Sequence, residues 1–217
     1  MLNKKLFVVC TKEGGYIKEC VQKIIAHYPE DDILVVDSDS KDKSYMDGLR
    51  KYKNVVIADY KNKNYEYGAI RYGFQNNKNK YDVFFFIKDS MKIEGEIDLS
   101  ILDEDSVLFF SLRKTGWKYC RKLENISKNK FPDFFNHPKY VSADNLLLTQ
   151  YNSFIINSST FEKCLNSEIF SLIDAPTNKI ESCIWERIWS SIFIANGLKR
   201  KVIKNLSNIT KIYGKRK

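Results

Sequence analysis

The stretch "YDVFFFIKDSMK", residues 81–92, decides the fold class of this chain. Val83–Ile87 is an unbroken apolar run, which is typical of a strand buried on both faces of a sheet. The run ends abruptly in a polar segment that begins with Lys88 and Asp89. In open α/β sheets, ligands bind just beyond the carboxyl ends of the strands. The stretch therefore predicts a central strand that delivers Asp89 to a ligand-binding crevice.

The composition of the chain is that of a folded protein with a substantial core. The sequence has 217 residues, of which 43% are hydrophobic and 14% aromatic, so extensive disorder is not expected. Five cysteines are scattered without a Cys-x-x-Cys pair, and only two histidines are present, which argues against a zinc site. Free thiols are typical of a reducing compartment, so we expect a cytoplasmic protein. No apolar run approaches the roughly 20 residues that span a bilayer, so no transmembrane segment is expected.

Apolar runs alternate with helical patterns over the first half of the chain. Short runs rich in Val, Ile and Phe predict five buried strands, which are Leu6–Cys10, Ile33–Asp37, Val55–Ala58, Val83–Lys88 and Val107–Leu112. Apolar residues at three- and four-residue steps predict helices over residues 16–28, 44–52 and 66–77. This alternation predicts an α/β fold with a Rossmann-type, mainly parallel sheet that helices cover on both faces.

The second half of the chain follows a different pattern. Residues 113–150 lack clear alternation and are predicted to form a long irregular insertion, which in a compact domain is often functional. Beyond them, the sequence predicts a strand over 152–157, helices over 159–173 and 178–197, and a last strand over 201–206. No repeat or linker separates two parts of the sequence, so we expect a single domain over residues 1–217.

Polar side chains follow three of the predicted strands where each strand ends. Thr11 follows the first strand and Asp89 the fourth, while Asp37 and Asp39 end the second, within "LVVDSDSKDKS" (34–44). The carboxyl ends of parallel strands share one edge of a sheet, so these side chains could converge on one site. The carboxylates at the second strand can accept hydrogen bonds from a base N–H or a ribose hydroxyl. The alternative is a turn in which Asp and Ser side chains bond their own backbone.

Two further features suit a diphosphate and its counter-ion. Gly68 lies at the start of a predicted helix with Arg71 in its first turns, and a helix N-terminus with an arginine suits a diphosphate. The alternative is a helix start with a surface arginine. A carboxylate at Asp89, beside a diphosphate, can hold Mg²⁺ or Mn²⁺, which prefer oxygen ligands. The alternative is a strand-end carboxylate that caps the next turn.

The order of these motifs resembles the nucleotide-sugar-binding half of glycosyltransferases with the GT-A fold, especially family two. In that family the second strand ends in a motif like V-V-D-D-G-S-x-D, and here "VVDSDSKD" occupies Val35–Asp42. The family then has a Gly/Ala-rich helix and a strand that ends in Asp-x-Asp, where this sequence has "GAIRYG" and "FFFIKDSM". The single Asp-Ser is similar to a branch that includes polysaccharide and viral glycosyltransferases. The resemblance covers about residues 5–112.

The resemblance implies a role for each strand-end residue. Thr11 and Asp37 would lie near the nucleobase, and Asp39 near the base or the ribose. Arg71 would lie near the phosphates, and Asp89 would be the ligand of Mn²⁺ or Mg²⁺.

This sequence departs from the family at two carboxylates. Ser38 replaces the second Asp of the strand-two motif, and Ser90 with Met91 removes the second metal carboxylate. The metal would then be held by fewer protein ligands or be dispensable.

A predicted helix in the second half carries two candidate catalytic carboxylates. In "NKIESCIWERIWSSIF", residues 178–193, Glu181 shares the apolar stripe and Glu186 lies on a flank of it. A carboxylate that looks into a cleft with a raised pKa could take the proton of an acceptor hydroxyl. GT-A enzymes often place their base at a helix start in this region, so the resemblance favours Glu181, with Glu186 and Asp144 as further candidates. The alternative is that Asn178 and Glu181 form a capping box, which accounts for Glu181 without catalysis.

These features together predict a metal-assisted glycosyltransferase that uses a UDP- or GDP-sugar and a glycan, glycoprotein or other hydroxyl acceptor. Residues 1–112 would bind the donor, and 113–217 would form the acceptor side, where aromatic residues could stack on sugars or pack the insertion onto the core. A non-catalytic nucleotide- or glycan-binding module with a degenerate site is the alternative. The net charge of +9 also suits a polyanion, but no motif of a known nucleic-acid-binding fold is present, so no specific nucleic acid is expected.

Overall fold

Strands and helices alternate along the first half of the chain in the order that the sequence predicts. The computed structural model describes residues 4–109, 121–141, 149–203 and 206–208. The strands are β1 (Lys5–Thr11), β2 (Asp32–Asp37), β3 (Val55–Ile57), β4 (Val83–Lys88), β5 (Met91–Ile93), β6 (Ser106–Phe109), β7 (Phe154–Asn157), β8 (Lys199–Val202) and β9 (Leu206–Asn208). The helices are α1 (Ile17–His27), α2 (Tyr65–Gln75), α3 (Arg121–Lys130), α4 (Pro132–Asn136), α5 (Ser158–Leu165), α6 (Glu168–Ser171) and α7 (Lys179–Ala195). Within the described ranges, none of these helices has both the length and the apolar character needed to cross a membrane.

Seven of the strands form one mixed sheet in the order β3-β2-β1-β4-β7-β6-β8. The first four in this order are parallel neighbours, whereas β7 is antiparallel to both β4 and β6. At one edge β8 pairs in parallel with β6, and β5 pairs with β9 in a separate antiparallel sheet. Core clusters pack on both faces of the large sheet. The prediction of an α/β fold with a Rossmann-type, mainly parallel sheet covered on both faces is confirmed.

The central strands are buried because the side chains on both of their faces pack against helices. Along β4, Phe86 belongs to a core cluster that includes residues of α2, α5 and α7. Phe85 points to the other face and belongs to a second cluster that includes residues of α1. This alternation is the two-residue period of a strand. It continues past the apolar run, so Lys88 and Asp89 leave the sheet on opposite faces.

Two segments predicted as regular helices differ in the structure. Residues 44–52 form only a short 3-10 helix, Ser44–Leu49. The single helix predicted over 159–173 is divided into α5 and α6. The Ser167 hydroxyl donates to Cys164 O over 2.6 Å at the junction. Serine side chains compete in this way for the backbone groups that a continuous helix uses, and so favour helix ends.

The insertion predicted as irregular over residues 113–150 contains two helices, α3 and α4. Helix α3 is polar except for Leu123 and Ile126, which pack against the core, so the apolar signal in its sequence is small. Pro132 at the start of α4 is preorganised for a first helical turn. The last strand predicted over 201–206 is also wrong as a single element, because Lys201 and Val202 belong to β8 and Leu206 belongs to β9, in different sheets.

Candidate active site

The carboxyl ends of β1, β2 and β4 meet at one edge of the sheet. Thr11 of β1 is the register partner of Asp37 of β2. The Thr11 hydroxyl donates a hydrogen bond to Asp89 Oδ2, just beyond β4, over 2.7 Å. The backbone N–H of Ser38 donates to Thr11 O over 2.8 Å. Thr11 therefore connects the ends of the second and fourth strands, and the strand-end residues predicted from the sequence lie together.

The Asp37 carboxylate is buried and holds the turn that follows β2. It accepts hydrogen bonds from the backbone N–H and hydroxyl of Ser40, over 2.8 and 2.6 Å, and from the Tyr45 hydroxyl over 2.5 Å. The Lys43 ammonium lies 3.6 Å from the same carboxylate. Burial opposes ionisation, but the bonds from Ser40 and Tyr45 outweigh it and lower the pKa of Asp37. These contacts are those of a turn in which Asp and Ser side chains bond their own backbone, which is the alternative that the sequence left open. A contact between Asp37 and the nucleobase stays a prediction.

Asp39 lies at the exposed tip of the same turn. Its φ of 56° is in the left-handed region, which non-glycine residues rarely adopt. The neighbouring turn after β1 contains Glu13, whose φ is 53° and whose backbone N–H donates to the Ser40 hydroxyl over 2.6 Å. Residues held in this region cost of order 1 kcal/mol or more and cluster at functional sites. The Asp39 carboxylate is exposed in this turn, and its contact to the nucleobase or the ribose stays a prediction.

The Asp89 carboxylate caps the turn between β1 and α1. Its side chain is 4% exposed and accepts hydrogen bonds from the Thr11 hydroxyl and the Lys12 backbone N–H. A Cβ at Gly15 would lie 2.5 Å from Asp89 Oδ2, so only glycine allows this approach. Burial raises the pKa of Asp89. The carboxylate is thus committed to the protein's own backbone and to Thr11.

The residues of this site do not fit a divalent cation held by protein carboxylates. Among the described residues, no group of three or more His, Cys, Asp and Glu side chains could hold a metal ion. Asp89 is buried with its oxygens facing Thr11 and Lys12, and Asp37 is engaged by its own turn. Asp144, which the sequence analysis gave as a further candidate for the general base, lies outside the described residues. Binding of Mn²⁺ or Mg²⁺ at Asp89 stays a prediction.

A buried ion pair on the other face of β4 was not predicted from the sequence. The Lys88 ammonium lies 2.5 Å from Glu66 Oε1 of α2, and Ser182 Oγ of α7 donates to Glu66 Oε2 over 2.7 Å. Lys179 lies 4.0 Å from the same carboxylate. Burial opposes ionisation of Glu66, but the charge of Lys88 outweighs it and lowers the pKa of Glu66 to about 2. A charged side chain that is buried needs a counter-charge. The lysine at the end of the apolar run was therefore a sequence signal for an ion pair at this position.

Glu181 has the contacts of a helix cap. The Asn178 side chain accepts a hydrogen bond from the Glu181 backbone N–H over 3.0 Å, as the capping alternative predicts. Glu181 Oε2 accepts bonds from the backbone N–H and hydroxyl of Thr177, over 2.8 and 3.0 Å, and Oε1 pairs with Lys130. Burial opposes ionisation, but the bond from Lys130 helps to lower the pKa of Glu181. These contacts hold the carboxylate ionised and occupied, and its role as a base stays a prediction.

Glu186 differs from Glu181 because its pKa is raised and not lowered. Its side chain is partly buried, and burial raises the pKa of Glu186 to about 7. The backbone N–H of Tyr151 donates to it. Tyr151 and Asn152 both have left-handed φ angles, of 56° and 54°, and the Thr149 N–H donates to the Glu186 backbone carbonyl over 3.2 Å. A strained turn therefore lies against a carboxylate whose pKa suits proton transfer near neutral pH.

Gly68 and Arg71 lie in α2, but their contacts are with structural neighbours. A Cβ at Gly68 would lie 1.9 Å from Asn62 Oδ1, so glycine is required for packing. The Arg71 guanidinium lies 5.2 Å from the centre of the Phe170 ring in α6. A cation over an aromatic face is a stabilising surface contact. The phosphate contact predicted for Arg71 stays a prediction.

The aromatic residues of the insertion pack against one another. Phe134 is fully buried, and its ring centre lies 5.2 Å from that of Phe135 and 5.3 Å from that of Tyr140. Phe131 is 5% exposed. This packing is the alternative that the sequence left open. Trp117, another aromatic residue of the insertion, lies outside the described residues.

The architecture matches that of a known glycosyltransferase. Over 93% of this chain and 35% of TarS from S. aureus, the two superpose with a TM-score of 0.53 at 13% identity. The two proteins share a fold. Structures of TarS 1–349, alone and in complex with UDP, match 51% of this chain and 36% of theirs with a TM-score of 0.41 at 19% identity. No protein-family model and no curated protein matches the sequence. The chain spans about a third of the length of these TarS structures, and the GT-A-like fold predicted from the sequence is confirmed.

Proposed function

We propose that this chain is a glycosyltransferase that moves a sugar from a nucleoside-diphosphate sugar to a hydroxyl group of a glycan or glycoprotein. The observation that carries the proposal is the meeting of three strand ends, at Thr11, Asp37 and Asp89, on one edge of a GT-A-like sheet. Ligands of open α/β sheets bind at such an edge. The fold shared with the glycosyltransferase TarS supports the same activity.

The exposed turn after β2 is the proposed contact to the nucleoside. Asp37 holds this turn in place through Ser40 and Tyr45, so it acts as a positioning residue. Asp39 at the tip is exposed and can accept a hydrogen bond from a base N–H or a ribose hydroxyl. The left-handed φ of Asp39 belongs to the turn that presents its exposed side chain.

Glu186 is the proposed general base. In a direct displacement, the acceptor oxygen forms a bond to the anomeric carbon while the bond from that carbon to the diphosphate breaks. The diphosphate departs with the electron pair, and the acceptor proton passes to the Glu186 carboxylate. A pKa of about 7 suits this role, because the carboxylate is ionised above that pH and is still basic enough to accept a proton.

One observation favours a second candidate function, a non-catalytic module that binds a nucleotide or glycan. Asp37 and Asp89 are the strand-end carboxylates of the family motifs. Both accept hydrogen bonds from groups within the protein. A site in that state could bind a nucleotide through Asp39 without catalysing transfer. Binding without turnover is the result that separates this module from the enzyme.

Ligand-dependent stability followed by a turnover assay tests the proposal. Thermal unfolding is measured with UDP, GDP and their sugars, and release of nucleoside diphosphate from the same sugars is then followed with and without acceptor. We expect one nucleotide class to raise Tm, because a ligand that binds only the native state stabilises it. Its sugar should be consumed.

Two exposed aspartates supply the site variant and its control. Asp39→Asn should weaken the response to the nucleotide, whereas Asp47→Asn, at an exposed carboxylate in the 3-10 helix, should leave it unchanged. Stabilisation without turnover would favour the binding module. A folded protein that none of these nucleotides stabilises would overturn both candidate functions.

A further inference from the structure

Two lysines flank one tyrosine beside the strand ends. The Lys12 ammonium lies 5.3 Å from the centre of the Tyr65 ring, and the Lys179 ammonium lies 5.8 Å from it. Lys12 directly follows β1, and Lys179 is the first residue of α7. Both lysines are exposed, and the ring is partly buried. We call these three residues the Lys12–Tyr65–Lys179 cluster.

The cluster carries more positive charge than its surroundings neutralise. The nearest carboxylate to Lys179 is Glu66 at 4.0 Å, but Glu66 already pairs with Lys88 at 2.5 Å. The ammonium groups of Lys88 and Lys179 therefore share one buried carboxylate, and Lys12 adds a further positive charge beside the Tyr65 ring. A cation in the first turn of a helix also opposes the helix dipole, so the position of Lys179 is unfavourable for α7 itself. Folding alone does not account for this concentration of charge.

The backbone of the cluster is bound to the same edge of the sheet as the candidate site. The Lys12 backbone N–H donates to the Asp89 carboxylate, so the backbone of Lys12 lies where β1 and β4 end. Tyr65 has a left-handed φ of 55°, and its carbonyl accepts a hydrogen bond from the Asn62 side chain over 2.7 Å. Strain of this kind persists where surrounding contacts over-determine the conformation. These backbone contacts thus hold Tyr65 within the cluster.

We propose that the Lys12–Tyr65–Lys179 cluster binds the diphosphate of the donor, and that donor binding does not require a divalent cation on Asp89. The inference rests on the proposed function and deepens it. Asp89 is 4% exposed and bonded to Thr11 and to the Lys12 backbone, so its oxygens are directed into the protein. In Asp-x-Asp glycosyltransferases a metal ion neutralises the negative charge of the diphosphate. Here the lysine ammonium groups neutralise that charge. In the displacement, they stabilise the departing diphosphate.

A binding titration with UDP and GDP, each compared with its nucleoside, tests the inference. The titrations are run in EDTA and again with Mn²⁺, on the wild-type protein and on Lys12→Met and Lys179→Met. Methionine keeps much of the length of lysine and removes the charge. Lys51→Met is the matched control, because Lys51 also lies over a tyrosine, 5.1 Å from the centre of the Tyr52 ring.

We expect the preferred diphosphate to bind in EDTA, with an affinity that falls as salt is added. Each lysine variant should weaken that binding roughly tenfold, as expected for loss of a charge-assisted contact, and leave nucleoside binding unchanged. Lys51→Met should bind as the wild type does.

Three outcomes would overturn the inference. Diphosphate binding that requires Mn²⁺ and is lost in Asp89→Asn would overturn it while leaving the proposed function intact. Binding in EDTA that neither lysine variant weakens would do the same. If neither diphosphate binds under any condition, the proposed function fails and the inference with it.

Discussion

Lys88 and Asp89 are neighbours in the sequence, but their side chains make contacts on opposite faces of the sheet. The Lys88 ammonium lies 2.5 Å from Glu66 of α2, whereas Asp89 Oδ2 accepts a hydrogen bond from Thr11 over 2.7 Å beside the turn before α1. One strand end therefore supplies a buried cation to one face and a buried carboxylate to the other. Helix α7 carries two further carboxylates, Glu181 and Glu186.

Removing one partner of the buried pair should be strongly destabilising. Lys88→Met leaves the Glu66 carboxylate buried without its close counter-charge, and we expect a loss of about 3 kcal/mol in the free energy of unfolding. The double variant Glu66→Gln/Lys88→Met should recover much of the loss, because it leaves no unpaired charge. Urea denaturation of the two single variants and the double variant measures the coupling. A loss of about 1 kcal/mol or less in each single variant, as for a surface pair, would contradict the prediction.

The same pair should make stability depend on pH in the acid range. The pKa of Glu66 is lowered from its ordinary value of 4.5 to about 2. A lowered carboxyl pKa contributes stability that is fully present above pH 4.5 and is lost as the pH falls toward 2. The difference in unfolding free energy between the wild type and Glu66→Gln should therefore narrow over that range. A difference that stays constant or widens on acidification would show that Glu66 is not held ionised.

Glu186→Gln should stabilise the protein at alkaline pH and abolish turnover. Burial raises the pKa of Glu186 to about 7, so the folded state binds a proton that the unfolded state has released. Its contribution to stability therefore falls from pH 4.5 to about 7 and stays low above that. The neutral glutamine avoids this loss, and Tm of the variant should exceed that of the wild type at about pH 8 but not at about pH 5. Equal Tm differences at both pH values would argue against a raised pKa.

Glu181→Gln is the matched comparison on the same helix. It weakens the contacts to Lys130 and Thr177 and should lower the free energy of unfolding by about 1 kcal/mol, with turnover retained. Because Glu186 is the proposed base, the transfer rate of the wild type should rise as the pH passes about 7 and then level off. Loss of turnover in Glu181→Gln with retention in Glu186→Gln would assign the base to Glu181.

Gly15→Ala should destabilise the candidate site, and Gly48→Ala should not. A Cβ at Gly15 lies 2.5 Å from Asp89 Oδ2, which Thr11 holds in place, so the carboxylate must move and its hydrogen bonds must lengthen. We expect a cost of about 1–3 kcal/mol, as for overpacking. At Gly48 nothing lies within 4 Å of the added atom. Thermal unfolding of the two variants measures the difference, and equal Tm values for both would contradict the contact at Asp89.

The sequence predicted the first half of the fold well because its signals are local. The apolar run of β4 and the helical spacing of α1 each fall within one short segment, and alternation of such segments implies a parallel sheet. The insertion was predicted less well. Its helix α3 is mostly polar, and only Leu123 and Ile126 pack against the core, so the segment has few apolar residues from which a helix could be predicted.

What the sequence determined by itself was that Thr11, Asp37 and Asp89 would stand at one edge of a sheet, since parallel strands place their ends together. Only the tertiary structure decided what each charged group contacts. Thr11 and Asp89 are 78 residues apart, and Ser182 and Glu66 are 116 residues apart. Hydrogen bonds and burial across such separations depend on how helices pack against the sheet, and burial is what raises the pKa of Glu186 on α7. No local pattern in the sequence carries that information.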